Sequence, residues 1–299
     1  MAAEITTSDA ALNLPYDDRD GVIWFDGELV QWRDAKLHVL SHGLHYASCV
    51  FEGIRIYDSR AFKLDEHAER LMASARALGF ELPMSAEAVS AAIRETMAVQ
   101  KIENGYIRPV AWRGSEMMGV SAQHNTIHVA IAIWAWGTYF KDREQGIRMK
   151  LSPWRRPAPD TAPVQSKAAG LYMICTLSKH LAEAEGYHDA LMLDWRGQVA
   201  EATGANLFMV KDGALHTPPP DCFLDGITRR TVMALAREAQ IEVIERPIEL
   251  DELWQADELF LTGTAAEVTP ISEIEGHGFT VGPVTGQLMA DYDAEVHKP

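Results

Sequence analysis

The segment from Gln165 to Thr228 constrains this chain more than any other. Lys167 stands among small residues, between a proline-rich stretch and a predicted helix, and Tyr172 follows five positions later. Glu201 comes after a predicted strand, and Gly226-Ile227-Thr228 opens a predicted helix. Burial of the lysine would favour an uncharged amine, which can form an imine with an aldehyde. The segment therefore predicts a site for a carbonyl-bearing ligand.

The same motifs supply groups for the rest of such a ligand. Backbone N–H groups at the start of the helix after Gly226, with the hydroxyl of Thr228, form an anion site. Gly263-Thr264-Ala265-Ala266 is a second small-residue turn with backbone donors. Glu201 opposite a pyridine nitrogen would form a charge-assisted pair. Alone, each motif has an ordinary explanation as a surface lysine, an exposed glutamate, an N-cap or a plain turn. Together they predict a pyridoxal phosphate (PLP) site.

Length and composition exclude other classes of protein. The 299 residues, 47% of them hydrophobic, suffice for two domains that each bury a core. A net charge of -16 argues against nucleic-acid binding. Motifs of P-loop NTPases, dinucleotide-binding folds and serine hydrolases are absent. The longest apolar run, Ile127 to Trp136, is too short to span a bilayer. The polar N-terminus is not a secretory signal. Three scattered cysteines predict reduced thiols, and we expect a soluble, cytoplasmic protein.

The predicted elements indicate an α+β protein of two domains. We expect a flexible tail at 1–20, a small N-terminal domain at 21–137, a linker at 138–145 and a larger C-terminal domain at 146–299. Asp65 and Ser85 are the predicted N-caps of two helices in the first domain. Predicted strands there are Val22–Phe25, Glu28–Val30, Lys36–Leu40, Cys49–Tyr57, Tyr106–Arg113 and Ile127–Trp136. In the second domain, predicted helices at 170–185, 228–240 and 284–295 accompany strands at 147–151, 189–194, 206–210, 214–216, 241–245 and 258–262.

Three histidines, His38, His42 and His45, invite a metal interpretation. Their spacing would put two ligands on one helical face, but no carboxylate completes the set and Gly43 argues against a helix. The sequence therefore favours structural histidines and predicts no metal site.

Read in order, the motifs resemble the fold-type IV PLP enzymes, in particular the branched-chain amino acid aminotransferases, from about Trp24 to Leu288. The motifs that carry the resemblance are Ser41 to Tyr46, Val50 to Arg55, Tyr106 to Pro109, Ser166 to Ala168, Glu201 to Phe208, Gly226 to Thr228 and Gly263 to Pro270. The resemblance implies a small N-terminal α/β domain and a larger, β-barrel-like C-terminal domain with flanking helices. It also implies a homodimer or higher homo-oligomer.

The resemblance further implies the roles of individual residues. Lys167 would hold the cofactor as a Schiff base and move the proton, Glu201 would hold the pyridine nitrogen, and Tyr172 would contact the ring oxygen. The implied cofactor-binding residues are Arg70, Lys167, Tyr172, Glu201, Gly204, Ala205, Asn206, Leu224, Gly226, Ile227, Thr228, Gly263 and Thr264, with Arg70, Ile227, Thr228 and Thr264 at the phosphate. The implied substrate-binding residues are Tyr46, Phe51, Gly53, Tyr106, Arg108, Met118, Val120, Tyr139, Thr264 and Ala265. Met118 and Val120 would lie on a loop that reaches the partner's site. A surface arginine is the alternative interpretation of Arg70.

The implied reaction is ping-pong transfer of an amino group from leucine, isoleucine or valine to 2-oxoglutarate, in branched-chain amino acid biosynthesis or degradation. D-amino acid aminotransferases, (R)-amine transaminases and aminodeoxychorismate lyases share the fold and stay open as alternatives. Tyr106-Ile107-Arg108 favours the branched-chain interpretation over them. Lys167, Tyr172 and Glu201 together argue against a non-catalytic PLP-binding protein.

Overall fold

The computed structural model describes residues 14–137, 139–140 and 143–298. Contacts divide the chain into two compact units. The first unit holds the described residues up to Gly137 together with Ser166–Gly170, and the second holds the others. The tail predicted at 1–20 and the linker predicted at 138–145 lie partly outside the described residues, and these boundaries stay predictions.

The first unit is built on a seven-stranded antiparallel sheet. The strand order is β2-β1-β7-β6-β4-β5, and β3 also pairs with β6. Its elements are β1 Val22–Phe25, β2 Glu28–Gln31, a 3-10 turn Trp32–Asp34, helix α1 His42–Tyr46, β3 Cys49–Phe51, β4 Ile54–Tyr57, β5 Arg60–Ala61, helices α2 Leu64–Ala77 and α3 Ala86–Gln100, β6 Gly105–Arg113 and β7 Ile127–Ala135.

The two long helices form the core of this unit with the apolar side chains of the strands. Leu71 of α2 and Ile93 of α3 pack with Ile54, Ile107 and Ile131 of the sheet. Burying side chains of this size stabilises each by about 1.5–3 kcal/mol, which holds the helices on the sheet.

The ends of α2 and α3 follow local sequence rules. Ser85 is the N-cap of α3, as predicted, and its Oγ accepts a hydrogen bond from the Ala88 N–H at 3.3 Å. The cap predicted at Asp65 is wrong, because α2 begins at Leu64, two residues earlier than a cap at Asp65 would allow, with Lys63 at the N-cap. Asp65 instead lies in the first turn, where a carboxylate suits the helix dipole.

Two other predictions about strands in this unit are wrong. Residues 36–40 do not form a strand. The strand predicted over Cys49 to Tyr57 is interrupted at Glu52-Gly53, between β3 and β4, which both pair with β6. The Glu52 N–H donates to the Pro109 carbonyl at 2.9 Å across this interruption. Glu52 therefore belongs to neither β3 nor β4, although its N–H still bonds to β6.

Helix α1 contains Gly43, so the prediction that this glycine argues against a helix there is wrong. A Cβ on Gly43 would lie 2.8 Å from the Cβ of Trp112. The glycine is therefore explained by the close approach of the helix to β6, and its helix-breaking tendency is overridden by packing.

The second unit contains a nine-stranded sheet, and six of its strands close into a barrel. The ring runs β10-β9-β8-β15-β14-β11 and closes where β10 pairs with β11, at Glu201 and Asn206. Its elements are β8 Ile147–Leu151, α4 Met173–Ala184, β9 Asp189–Leu193, β10 Val199–Ala202, β11 Asn206–Lys211, β12 Ala214–Thr217, α5 Ile227–Glu238, β13 Val243–Glu245, α6 Leu250–Leu253, β14 Glu258–Gly263, β15 Glu267–Ile274, β16 His277–Gly278 and α7 Pro283–Val296. Helices α4, α5 and α7 flank the barrel. The predicted barrel-like domain with flanking helices is confirmed.

Strand β15 was absent from the sequence interpretation. It pairs with β14 and, in parallel, with β8, and so completes the barrel. Within the described part of the chain, no helix is long and apolar enough to cross a membrane.

Candidate active site

The backbone around Lys167 is fixed within the first unit. Its N–H donates to Ser74 Oγ of α2 at 3.0 Å, and its carbonyl accepts from the Phe51 N–H of β3 at 3.1 Å. Ser166 Oγ donates to the Ser74 carbonyl at 2.9 Å. Ala168 forms a bridge with Val50. The proline-rich stretch before Lys167 gives no hint of these anchors, and they hold the lysine backbone from two sides.

The ring of Phe51 lies beside both Lys167 and Arg108. Lys167 Nζ is 5.0 Å and Arg108 Cζ is 4.8 Å from the ring centroid, within the range of cation–π contacts. Among the described residues, the buried Arg108 Nε has no hydrogen-bond partner. An unsatisfied buried donor costs about 1–3 kcal/mol, and a bound carboxylate would remove that cost.

Tyr106 and Gly53 belong to the same cluster. Arg108 Cζ lies 5.4 Å from the Tyr106 ring centroid. A Cβ on Gly53 would lie 1.8 Å from the Tyr106 hydroxyl oxygen, so only glycine permits this approach. The structure thus brings together Lys167, Phe51, Gly53, Tyr106 and Arg108, all predicted from the sequence.

Arg70 is fixed by a buried carboxylate that the sequence interpretation did not assign. Its Nε and Nη2 donate to the two oxygens of Glu52 at 2.7 and 2.9 Å. His67 Nδ1 lies 2.7 Å from Glu52 Oε2. Burial would raise the pKa of Glu52, but Arg70 and His67 outweigh burial and hold that pKa well below its usual range. Burial lowers the pKa of His67, so this ring is neutral and donates from Nδ1.

The paired, largely buried Arg70 does not fit the alternative of a surface arginine. Glu52 lay unassigned inside a quoted motif, Val50 to Arg55, because a glutamate between strands is usually exposed. The strand predicted over Cys49 to Tyr57 ran through Glu52, so the break between β3 and β4 was visible only in the structure.

Glu201 lies in β10 of the second unit, within the strand and not after it as predicted. Asn206 Nδ2 donates to Glu201 Oε2 at 3.1 Å. Arg156 Nε lies 3.4 Å from Glu201 Oε1. The carboxylate therefore has a neutral donor on one oxygen and a cation beside the other.

Arg156 is a buried cation that sequence reasoning missed. Its Nη1 donates to Cys175 Sγ at 3.3 Å and its Nε to the Cys222 carbonyl at 3.4 Å. Burial lowers the pKa of Arg156, but Glu201, Cys175 and Tyr172 outweigh burial and raise it. Burial raises the pKa of Cys175 to about 11, so that neighbour is a neutral thiol. Arg156 lies in a proline-rich stretch, which resembles an exposed loop.

Asn206 connects Glu201 to the start of α5. Its Nδ2 also donates to the Leu224 carbonyl at 3.1 Å. A Cβ on Gly226 would lie 2.2 Å from Asn206 Oδ1, so the glycine lets the loop pack against the asparagine. Helix α5 then begins at Ile227, and its N-cap residue, Gly226, has no side chain that could accept from the first-turn N–H groups. With Thr228 in its first turn, this helix end has the composition of an anion site.

Gly263 lies beside the turn that joins β10 and β11. A Cβ at this position would be 3.3 Å from both the Ala205 Cβ and the Gly204 carbonyl. Thr264 and Ala265 follow in the next turn. The structure thus groups Gly204, Ala205 and Gly263.

A family model for amino-transferase class IV matches residues 49–274. The chain belongs to the class IV aminotransferase family. Enzymes of this family depend on PLP.

Relatives of this class IV aminotransferase are similar over nearly the whole chain. The branched-chain-amino-acid aminotransferase of Pseudomonas aeruginosa is 43% identical over 284 residues, which cover 92% of each protein. The branched-chain aminotransferase of Thermoproteus uzoniensis, solved with norvaline, is 40% identical, with a TM-score of 0.89 over 92% of this chain and 94% of that one. The solved branched-chain amino acid aminotransferase from Escherichia coli is 40% identical, with a TM-score of 0.85 over 90% of this chain and 92% of that one. The fold-type IV prediction is confirmed.

The donor groups of this class IV aminotransferase fit PLP. Glu201 matches a protonated ring nitrogen, and the start of α5, with a glycine at its N-cap, matches a phosphate. Gly226 also lets the loop before α5 pack against Asn206. The individual roles of these residues, and that of Tyr172 at the N-cap of α4, stay predictions.

Four remaining predicted substrate residues are partly exposed in the single chain. Tyr46, Met118 and Val120 lie on the surface of the first unit, and Tyr139 lies beside Phe140 in the second. In the part of the chain that is described, no group of three or more histidine, cysteine or acidic side chains could hold a metal ion. His38 Nδ1 and His45 Nε2 each bond a nearby backbone group, the Leu40 N–H and the Val39 carbonyl.

Proposed function

We propose that this protein transfers the amino group of leucine, isoleucine or valine to 2-oxoglutarate, forming branched-chain 2-oxo acids and L-glutamate. The observation that carries the proposal is the cluster around Phe51. One aromatic ring there adjoins the Lys167 amine and the Arg108 guanidinium, whose Nε is buried without a partner among the described residues. An aliphatic side chain and a carboxylate each find a matching surface in this cluster.

Lys167 Nζ is the base that removes and returns the proton at the substrate Cα. The hydrogen bonds that its backbone makes with Ser74 Oγ and with the Phe51 N–H restrict the positions that Nζ reaches. A restricted base reacts faster because less orientational freedom is lost in the transition state.

When bound, PLP supplies an aldehyde for the amine and a ring that withdraws electrons from Cα. Glu201 would hold the ring nitrogen, with Asn206 and Arg156 keeping its carboxylate oriented. Arg70, Ile227, Thr228 and Thr264 would hold the phosphate. The pair with Glu52 fixes the Arg70 guanidinium before any ligand arrives.

Arg108 would bind the second carboxylate of L-glutamate and 2-oxoglutarate, since that group satisfies its Nε. Phe51, Tyr46 and Tyr139 would form aromatic walls for aliphatic side chains. The backbone amides of Thr264 and Ala265 would bind the α-carboxylate, and Gly53 leaves space for the Tyr106 hydroxyl.

The active form would be a homodimer in the cytoplasm. Exposed apolar side chains of the first unit form what we call the apolar surface patch: Leu37, Val39, Leu40, Leu44, Tyr46, Met118 and Val120. Monomeric proteins rarely expose patches of this kind. A second copy of the chain would cover the patch and receive Met118 and Val120 in its substrate pocket. The free cysteines Cys49, Cys175 and Cys222 suit a reducing compartment.

The absorbance spectrum of the purified holoenzyme tests the proposed function. L-leucine and L-glutamate, each added without any keto acid, should convert the bound cofactor from its aldehyde form to pyridoxamine phosphate. Conversion only by D-amino acids or (R)-amines, or pyruvate release from aminodeoxychorismate, would replace the branched-chain assignment by one of the alternatives.

A further inference from the structure

His42 is a buried side chain that joins two exposed parts of the apolar surface patch. Its Nε2 lies 2.9 Å from the Gly119 carbonyl and its Nδ1 lies 3.0 Å from Ser48 Oγ. The ring stacks on Tyr46, with centroids 4.6 Å apart and planes at 26°. Because a carbonyl only accepts, the hydrogen-bond network assigns the proton to Nε2.

The segment that carries Gly119 has a second anchor at its base. Asn125 Nδ2 donates to the carbonyls of Gly114 and Met117 at 2.9 and 3.2 Å, and Asn125 Oδ1 accepts from the Met117 N–H at 3.0 Å. The backbone N–H of His42 also donates to the Gly114 carbonyl, at 2.8 Å. Asn125 thus fixes the base, while the His42 ring holds the tip.

The tip needs such an anchor because little else restricts it. Gly119 has a φ of +141° and open space around its α-carbon. Glycine in this region samples many conformations, so packing alone does not select this one. Val120 is 87% exposed and Met118 is 45% exposed, so the side chains that flank Gly119 contribute little burial.

We propose that His42 is a positioning residue for substrate specificity. It holds Gly119, and with it Met118 and Val120, in a fixed relation to Tyr46. All three side chains are assigned to substrate binding under the proposed function, on which this inference rests. Loss of the hydrogen bond to Gly119 would weaken the binding of aliphatic side chains and leave the proton transfer at Lys167 intact.

Two substitutions separate this role from a general structural one. In His42→Gln the amide nitrogen reaches about as far as Nε2 and can donate to Gly119. In His42→Asn the side chain is too short to reach Gly119, and its amide can bond only to Ser48. We expect His42→Asn to raise the KM for L-leucine about tenfold with kcat within about twofold, because the hydrogen bond that positions Met118 and Val120 is lost. For His42→Gln we expect the KM for L-leucine to equal that of the wild type. His180→Asn, at an exposed position of α4, is the matched control.

Hydrogen–deuterium exchange of residues 115–122 gives a second readout that needs no substrate. Exchange should rise in His42→Asn and not in His42→Gln. If both variants match the wild type in KM and in exchange, or lower kcat alone, the role of His42 is refuted. If exchange is faster in His42→Asn but the wild type does not turn over L-leucine, the hydrogen bond from His42 to Gly119 is supported and the proposed function is refuted instead. Should His42→Asn not fold, Gly119→Ala disturbs the tip backbone without a steric clash, and an unchanged KM there would overturn the inference.

Discussion

Two buried ion pairs orient groups of the predicted cofactor site, one in each unit. Glu52 is fully buried and holds Arg70 through two hydrogen bonds, and Arg156 is buried beside Glu201. Removing one partner from such a pair leaves an uncompensated charge in the interior. The orientation of Arg70 and of Glu201 therefore depends on Glu52 and Arg156, which lie outside the predicted sets of cofactor- and substrate-binding residues.

The Glu52 pair should make stability depend on pH. We expect Glu52→Gln to lower the free energy of unfolding at pH 7 by about 3–5 kcal/mol, because Arg70 loses its buried counter-charge. The folded-state pKa of Glu52 lies below its unfolded value of about 4.3. Its stabilisation is thus complete well above that pH and falls by about 1.4 kcal/mol per pH unit below it.

Urea unfolding of both proteins between pH 7 and pH 3 measures this effect. The gap between wild type and Glu52→Gln should narrow as the pH falls below about 4.3. Glu69→Gln, at an exposed position of α2, is the control and should change stability by less than about 0.5 kcal/mol. A gap that stays constant over this range would contradict the buried-pair explanation.

Among the elements, β10, β11 and the start of α5 form one connected group in the second unit. Glu201 and Asn206 face each other where the barrel closes, and Asn206 also contacts the loop before α5. The positions of Glu201, the predicted partner of the ring nitrogen, and of the predicted phosphate site at the start of α5 therefore both depend on Asn206. A displacement of Asn206 affects both.

Gly226→Ala should disturb this group. The backbone angles of Gly226 are ordinary for alanine, so the cost comes from the 2.2 Å approach of the new Cβ to Asn206 Oδ1. Overpacking of this kind costs about 1–3 kcal/mol, and we expect PLP to bind the cofactor-free protein roughly tenfold more weakly or worse. Fluorescence titration of the cofactor-free protein with PLP measures this change in affinity. Gly286→Ala in α7, with open space around it, is the control. Wild-type affinity in Gly226→Ala would show that the loop does not depend on Asn206.

Over the molecule as a whole, the apolar surface patch contrasts with a strongly acidic composition. The net charge of -16 keeps copies of the chain apart in solution unless a specific surface brings them together. The patch offers such a surface, and the groove between Leu37 and Leu44 extends it to Phe25 and Trp112.

Val120→Asp should break the proposed dimer. A carboxylate at the most exposed position of the patch would have to lose its water on association, and we expect dimerisation to weaken roughly tenfold or more. Sedimentation velocity over a range of concentrations measures this. Val281→Asp, in the second unit, should leave the assembly unchanged. A wild type that sediments as a monomer at micromolar concentration would refute the dimer.

Features that depend on residues close together in the chain follow from the amino-acid sequence alone. The Ser85 cap and the Gly226-Ile227-Thr228 start of α5 follow from local propensity and were predicted correctly. Short-range rules suffice for these two features because the physical cause lies within a few residues. The family and its cofactor came instead from the resemblance of the ordered motifs to known enzymes.

Which distant residues meet depends on the tertiary structure. Arg70 pairs with Glu52, which lies 18 positions earlier in the chain. Arg156 pairs with Glu201 although it lies in a proline-rich stretch that resembles a surface loop. Helix α1 forms despite Gly43, because packing against Trp112 outweighs the low helix propensity of glycine. Residues 267–274 form strand β15 because they pair with β8 on one side and β14 on the other. In each case the deciding free energy is burial or ion pairing between distant segments, which no local pattern encodes.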